Sequence, residues 1–300
     1  MKVTILLSTY NAQKYIKAQL DSLFNQTYQD FKIITRDDNS KDNTIKILKS
    51  YDLEMIPSNK NIGAKASFST LLEYATQNTS SDYFMFCDQD DIWKIDKIEK
   101  TLKKMQELEN KFSDIALLVH SNLEIVNQDL QKINKSFWQF EQINPAINKL
   151  NRLLIQNTIT GCTVMINKNL AQLATPVPDK AIMHDIWLGL VASEFGKIGF
   201  INKTLIKYRQ HAQNTIGSSG FRMNYIINKL LQKNILQKNT LQAKAFLDTY
   251  KSKLEKKNIQ MLEDLSTIES KSFWQKRKIL LKHKLFKQGL IRNIGLFLKI

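Results

Sequence analysis

YFMFCDQDDIW, residues 83–93, is the stretch that decides how this chain is read. Its first four residues are apolar and aromatic without a helical period, which predicts a short buried strand, and Asp88, Asp90 and Asp91 follow it directly. Open α/β sheets hold their ligands at the carboxyl ends of the strands. Acids at i and i+2 on a turn repel one another, and a hard divalent cation that also takes phosphate oxygens relieves that repulsion. A plainer role suits the same residues: Asp90 or Asp91 caps the helix expected over 94–108.

Working outward, apolar runs at 3–7, 31–35 and 53–56 alternate with helical patterns at 12–24, 42–49 and 63–75. Beyond the acidic run, strands are expected at 115–119, 123–126 and 162–166, and a helix at 186–195. This order favours an open, mainly parallel sheet flanked by helices. Three polar loops follow the early strands: Ser8-Thr9-Tyr10-Asn11, Arg36-Asp37-Asp38-Asn39-Ser40 and Asn59-Lys60-Asn61-Ile62-Gly63. A nucleotide needs a flat wall for its base, a carboxylate or amide for its hydrogen bonds, and a cation at its pyrophosphate. Tyr10, Asp38 and the acids of 88–91 offer those three, although each loop alone is also ordinary turn and cap chemistry.

With 300 residues, 43% hydrophobic, and only 9 Gly and 4 Pro, the chain is expected to be globular, with one sizeable core and an appendage. Cys87 and Cys162 lie far apart in sequence and suggest reduced thiols in a cytoplasmic setting. The run at 3–7 is too short for a signal segment, and no stretch approaches membrane-spanning length. Charge is uneven. Residues 222–300 hold 18 Lys and Arg against 5 Asp and Glu, which leaves the preceding 221 residues nearly balanced within a net charge of +16. A linker is expected at 217–220, Gly-Ser-Ser-Gly, dividing a body over 1–217 from a basic helical region over 218–300. Within that region Ile279, Phe286, Leu290, Ile294 and Phe297 recur as one helical face. Such a region packs on the body with a solvated basic side or meets an anionic membrane surface. Nucleic acid is the weakest partner, because no zinc-ligand set or aromatic RNA-binding signature accompanies the charge.

Taken together, STYN at 8–11, RDDNSKDNT at 36–44, NKNIG at 59–63, CDQDDIW at 87–93, TGC at 160–162, HDIW at 184–187 and YRQHAQNTIG at 208–217 resemble the family 2 glycosyltransferases of GT-A fold, over about residues 1–217. The combination of CDQDDIW, HDIW and YRQH is similar to bacterial rhamnosyltransferases of polysaccharide biosynthesis. That resemblance implies a nucleotide-sugar donor, first dTDP-L-rhamnose and alternatively a UDP-hexose. It also implies a growing glycan acceptor, in some cases carried on a lipid, an Mg²⁺ or Mn²⁺ cofactor, and inversion at the anomeric carbon. It places Thr9, Tyr10, Asn11, Asp38, Asn61 and Asp88 at the nucleotide, Asp91 at the donor sugar, and Asp90 with His211 at the metal. Arg209 and His211 fall at the diphosphate, Asp185 is the base and Trp187 is at the acceptor. These have structural alternatives: Asp185 caps a helix, Trp187 belongs to the core, Arg209 pairs with an acid in the core, and His211 is a structural or surface histidine. The processive members' QxxRW motif and membrane helices are absent, which implies transfer of a single sugar, and with a lipid-carried acceptor the basic helical region would hold the catalytic edge at the inner leaflet. A catalytically silent nucleotide- or carbohydrate-binding module on the same scaffold remains the alternative.

Overall fold

The computed structural model describes residues 2–211 and 236–300, so the expected linker at 217–220 and the end of the YRQHAQNTIG run lie outside the described residues. Nine strands form one sheet: β1 (Val3–Thr9), β2 (Phe31–Asp37), β3 (Glu54–Met55), β4 (Tyr83–Cys87), β5 (Ile92–Trp93), β6 (Ala116–Asn127), β7 (Lys132–Asn134), β8 (Met165–Asn167) and β9 (Gly196–Gln210). Their order is β3-β2-β1-β4-β8-β6-β9-β5, with β7 beside β6. The first four are mutually parallel, β8 runs antiparallel to both its neighbours, and β6 and β9 are parallel again. Parallel pairing therefore stops at β4, whose carboxyl end carries the acids.

The helices are α1 (Ile16–Phe24), α2 (Thr44–Leu48), α3 (Gly63–Asn78), α4 (Lys97–Glu109), α5 (Phe137–Phe140), α6 (Leu150–Leu153), α7 (Lys168–Ala174), α8 (His184–Phe195), α9 (Gln237–Tyr250), α10 (Lys256–Ser266), α11 (Phe273–Lys282) and α12 (Leu290–Lys299). Successive strand residues point to opposite faces, so the buried strands feed two cores. On β4, Tyr83, Met85 and Cys87 pack with Ile16, Leu20 and Leu23 of α1 and Ile98, Leu102 and Met105 of α4. Phe84 and Phe86 pack on the other face with Phe68, Leu71 and Leu72 of α3 and Leu188 and Val191 of α8.

Three expectations need correction. The strands expected at 115–119 and 123–126 are one strand, β6. Its polar middle continues because the Asn122 side chain donates to Ser136 Oγ at 2.8 Å and accepts from Leu123 N–H at 2.9 Å, while register shifts absorb the irregularity. The strand expected at 162–166 starts only at Met165, after a 3₁₀ turn at Gly161–Thr163. The single helical face expected across 279–297 is split between α11 and α12, because the chain turns through positive φ at Lys284 (52°) and Gly289 (87°). The helices after residue 236 pack into the body: Phe246 and Tyr250 of α9 lie against Trp187 of α8, with ring centroids 5.4 and 5.8 Å apart.

Gly196 opens β9 directly beside β6, and a Cβ there would lie 1.7 Å from the Ala116 carbonyl oxygen. Gly196→Ala is expected to lower the Tm by at least about 4 °C in a thermal melt. An unchanged Tm would mean that the two strands do not approach so closely.

Candidate active site

Arg209, at the end of β9, holds the acidic turn from beneath. Its backbone N–H donates to Asp91 Oδ1 at 3.0 Å, its Nε–H to the Asp90 carbonyl at 2.7 Å, and its guanidinium also reaches the Gln128 carbonyl. The guanidinium lies 4.8 Å from the centre of the Tyr15 ring, on which His211 is also stacked at 4.8 Å. His211 Nε2 lies 2.8 Å from Asp90 Oδ2. Above the turn, the Gln89 carboxamide clasps the loop after β1, accepting from Tyr10 N–H at 2.6 Å and donating to the Tyr10 carbonyl at 3.1 Å.

Burial and mutual repulsion dominate the electrostatics. Asp88 is pushed up to about 7 by burial, then by Asp90 and Asp185. Asp91, fully buried, is held well above the ordinary carboxylate range by burial and by Asp90 and Asp88, and its Oδ2 has no hydrogen-bond partner among the described residues. Asp90 is raised by burial and partly restored by His211. The Cys162 Sγ lies within 4.8 Å of a carboxylate oxygen of Asp88 and of Asp91, and burial raises the thiol so that it stays protonated. Both cysteines are free and buried. Lys97, fully buried with its Nζ 3.5 Å from the centre of the Trp93 ring, is the nearby cation, and burial lowers it to about 7.

Opposite the turn, α8 begins at His184 and carries Asp185 in its first turn, where the helix dipole favours a negative charge. Asp185 accepts from Ile186 N–H at 2.8 Å, from Gly161 N–H, and from Asn157 Nδ2 at 3.5 Å. Burial outweighs these bonds and pushes it from 3.8 to about 6, equivalent to about 3 kcal/mol in favour of the proton. The TGC segment joins the two halves: Gly161 lies against Asp185, and the Cys162 sulfur lies within 4.8 Å of Asp88 and Asp91 oxygens. A methyl group at Gly161 would sit 3.1 Å from His184 Nε2 and crowd the imidazole. His184 lies against Phe68 and Phe86, with ring centroids 4.3 and 5.0 Å away, and burial drives it down to about 3, so it is a neutral wall behind Asp185.

The remaining expected residues divide. Tyr10 is exposed beside the turn. The Asn11 side chain accepts from Lys41 N–H, and that of Asn61 from Gly63 N–H, so both shape the loops around the site. Thr9 is buried, donating its hydroxyl to Asp37 at 2.8 Å. Four expectations are corrected. Asp38 turns inward, with both oxygens engaged by Arg36 and by the N–H groups of Ile62 and Gly63 at 2.8 Å, so it anchors the start of α3. Asp91 is too deeply buried to meet a donor sugar. Arg209 braces the turn instead of facing a diphosphate. Trp187 is a core residue, fully buried, with its indole N–H donated to the Ala174 carbonyl at 3.0 Å.

Tyr15, Gln89, Asn157 and Lys97 escape the sequence reading. Gln89 alone had a signal, its place inside the acidic run. A lysine in a helical pattern reads as solvated, and Tyr15 and Asn157 belong to no motif.

The donor chemistry fits a hard divalent cation. Asp88, Asp91 and Cys162 bring one potential ligand atom each within 4.8 Å of one another, and Asp90, on the same turn, is met by His211 from the end of β9. Oxygen donors dominate this set, and its carboxylates carry repulsion that a cation relieves. A buried, protonated thiol makes Cys162 a poor ligand for Mg²⁺ or Mn²⁺.

The profile of the family described as "Glycosyl transferase family 2" matches residues 4–173. Among curated proteins, the UDP-Glc:alpha-D-GlcNAc-diphosphoundecaprenol beta-1,3-glucosyltransferase of Escherichia coli is 31% identical over 227 residues, covering 73% of this chain and 81% of that protein. A dTDP-rhamnosyl transferase of Shigella flexneri is 28% identical over 234 residues, covering 73% and 76%. Among solved structures, Staphylococcus aureus TarS in complex with UDP-GlcNAc superimposes with a TM-score of 0.54 at 17% identity, covering 92% of this chain and 83% of that one. The architecture is the GT-A fold anticipated from the motifs.

Because Asp91 binds its proton more tightly in the folded chain than in the unfolded one, it makes wild-type stability fall as pH rises above the ordinary carboxylate value of 3.8. An asparagine keeps the bond from Arg209 N–H without that penalty. In thermal melts with EDTA, Asp91→Asn is expected to raise the Tm by roughly 2–4 °C near pH 8, with the gain shrinking towards zero near pH 4. A loss at both pH values would show that the buried charge is compensated in some other way.

Proposed function

We propose that this chain, which belongs to glycosyl transferase family 2, is an inverting enzyme of polysaccharide biosynthesis that moves one sugar from a nucleotide donor to a glycan acceptor. The observation that carries this reading is Asp185, raised to about 6 and facing Asp88 across Gly161 and Cys162. A group of that pKa suits a general base working near neutrality. In the proposed reaction Asp185 takes the proton of an acceptor hydroxyl, and the acceptor oxygen bonds to the anomeric carbon. The bond from that carbon to the diphosphate breaks on the opposite face.

Asp90 and His211, with Asp88 beside them, would hold a divalent cation, Mg²⁺ or Mn²⁺. When bound, it supplies positive charge at the leaving diphosphate. Tyr10, Asn11 and Asn61 line the nucleotide side, and Gln89 fixes the Tyr10 backbone for that purpose. A pyrimidine nucleoside diphosphate is the proposed donor head. The 31% identical glucosyltransferase supports a UDP-hexose, and the Shigella flexneri relative supports dTDP-L-rhamnose. The first of these relatives also supports an acceptor on a polyprenol diphosphate. No helix among the described residues is long and apolar enough to cross a membrane. We place the catalytic body over 1–217, with the basic region over 218–300 giving peripheral contact with the membrane.

Asp185→Asn is expected to lower kcat about 10³-fold while leaving nucleotide affinity within about twofold. In the wild type, kcat/KM is expected to fall about tenfold per pH unit below about 6, because protonated Asp185 cannot accept the acceptor's proton. Nucleoside diphosphate release from UDP-glucose and dTDP-L-rhamnose measures both. Full turnover by Asp185→Asn would remove the base, and a wild type inert towards every donor would favour a silent binding module.

A further inference from the structure

The carboxyl-terminal helices α11 and α12 form a hairpin with an uncovered apolar side. Arg277 in α11 donates to the carbonyls of Phe297 and, at 3.1 Å, of Ile300, which ties the start of one helix to the end of the other. Leu296 points inward and is buried, and on the opposite side of α12 lie Leu290, Ile291, Ile294 and Leu298, exposed by 77, 59, 50 and 73%. Their spacing of i, i+1, i+4 and i+8 makes one stripe. On α11, Trp274 is exposed by 77% and Leu281, seven residues on, by 58%. Scattered exposed apolar residues are normal, but seven of the fourteen large ones among the described residues fall within 273–298, which marks a surface built to be covered.

Charge identifies what covers it. Residues 271–300 contain nine Lys and Arg and no Asp or Glu. A second copy would bring the same nine positive charges against this face, whereas an anionic bilayer offers both the opposite charge and an apolar interior. An exposed tryptophan beside aliphatic side chains also suits the boundary between headgroups and acyl chains.

We propose that the α11–α12 hairpin is a membrane seat, inserting Trp274, Leu281, Leu290, Ile291, Ile294 and Leu298 into one leaflet of an anionic phospholipid bilayer while its basic residues meet the lipid phosphates. This deepens the peripheral placement proposed above by naming the side chains that enter the bilayer. The connection between the two helices also touches the site: Gln288 N–H donates to Gln156 Oε1 at 2.6 Å, and the neighbouring Asn157 reaches Asp185. If Asp185 is the base, the seat sets the acceptor side of the site beside the lipid surface.

The other three tryptophans, Trp93, Trp138 and Trp187, are each at most 5% exposed, so a fluorescence change on adding vesicles reports Trp274. The full chain is titrated with vesicles of phosphatidylglycerol and phosphatidylcholine in equal parts, and separately with phosphatidylcholine alone. Expected with the anionic vesicles are a blue shift, quenching by brominated acyl chains, and a vesicle affinity at least about tenfold lower for the double variant Ile291→Asp with Ile294→Asp. A matching thermal transition shows that the variant is folded, whether or not the chain turns over a donor. Trp274→Phe is expected to lose the shift and still float with the vesicles. Binding without quenching by brominated chains would overturn insertion in favour of surface charge alone. A concentration-dependent shift without vesicles, with dimer on sizing, would assign the face to a second copy and overturn the seat.

Discussion

At the end of β4, three carboxylates lie within four residues, Asp90 and Asp91 buried and Asp88 half-buried; Asp90 makes Asp88 harder to ionise, and both do the same to Asp91. The surrounding structure works to hold that arrangement. Arg209 supports the backbone of the turn, His211 faces Asp90, the Cys162 sulfur lies within 4.8 Å of Asp88 and Asp91, and Lys97 is buried in the core. Arg209 brings one full positive charge, which favours the ionised form of Asp90, and the ammonium of Lys97 is weakened by burial, so the cations do not match the acids in number. The turn therefore stays short of positive charge, which is the condition a cation and a diphosphate would meet.

Topology explains why the shortage sits where it does. Parallel pairing from β3 to β4 gathers the loops after β1, β2 and β4 on one edge, and antiparallel β8 then brings the TGC segment back beside them. Gly161 and Cys162 are thus shared between Asp185 and the acidic turn. Two carboxylates result, both raised, with different neighbours: Asp185 in a shell of N–H donors, Asp88 among like charges. Environments that differ in this way let one acid serve as a base while another faces a cation.

Much of this was legible in the chain because its strongest signals are local. Apolar runs followed by polar loops gave β1, β2 and β4 to within two residues, and the HDIW run placed Asp185 at a helix start. What escaped depends on distant partners. β9 is too rich in Lys, Asn and Gly to read as a strand, yet it pairs along most of β6. Asp38 and Trp187 matched their motifs, but the N–H groups of Ile62 and Gly63, and the Ala174 carbonyl with the rings of α9, draw them inward. The uncovered stripe on α12 was partly visible as periodicity. Its outward side was not, because only Leu296 packing inward reveals which face remains.

The most direct measurement is calorimetric titration of the purified chain with UDP and with dTDP, in Mn²⁺ and again in EDTA. The expected result is that at least one of them binds with Mn²⁺ and loses more than about tenfold in affinity without it, since the acids then repel the diphosphate. Equal affinity in both buffers would contradict a cation-bridged diphosphate at the acidic turn.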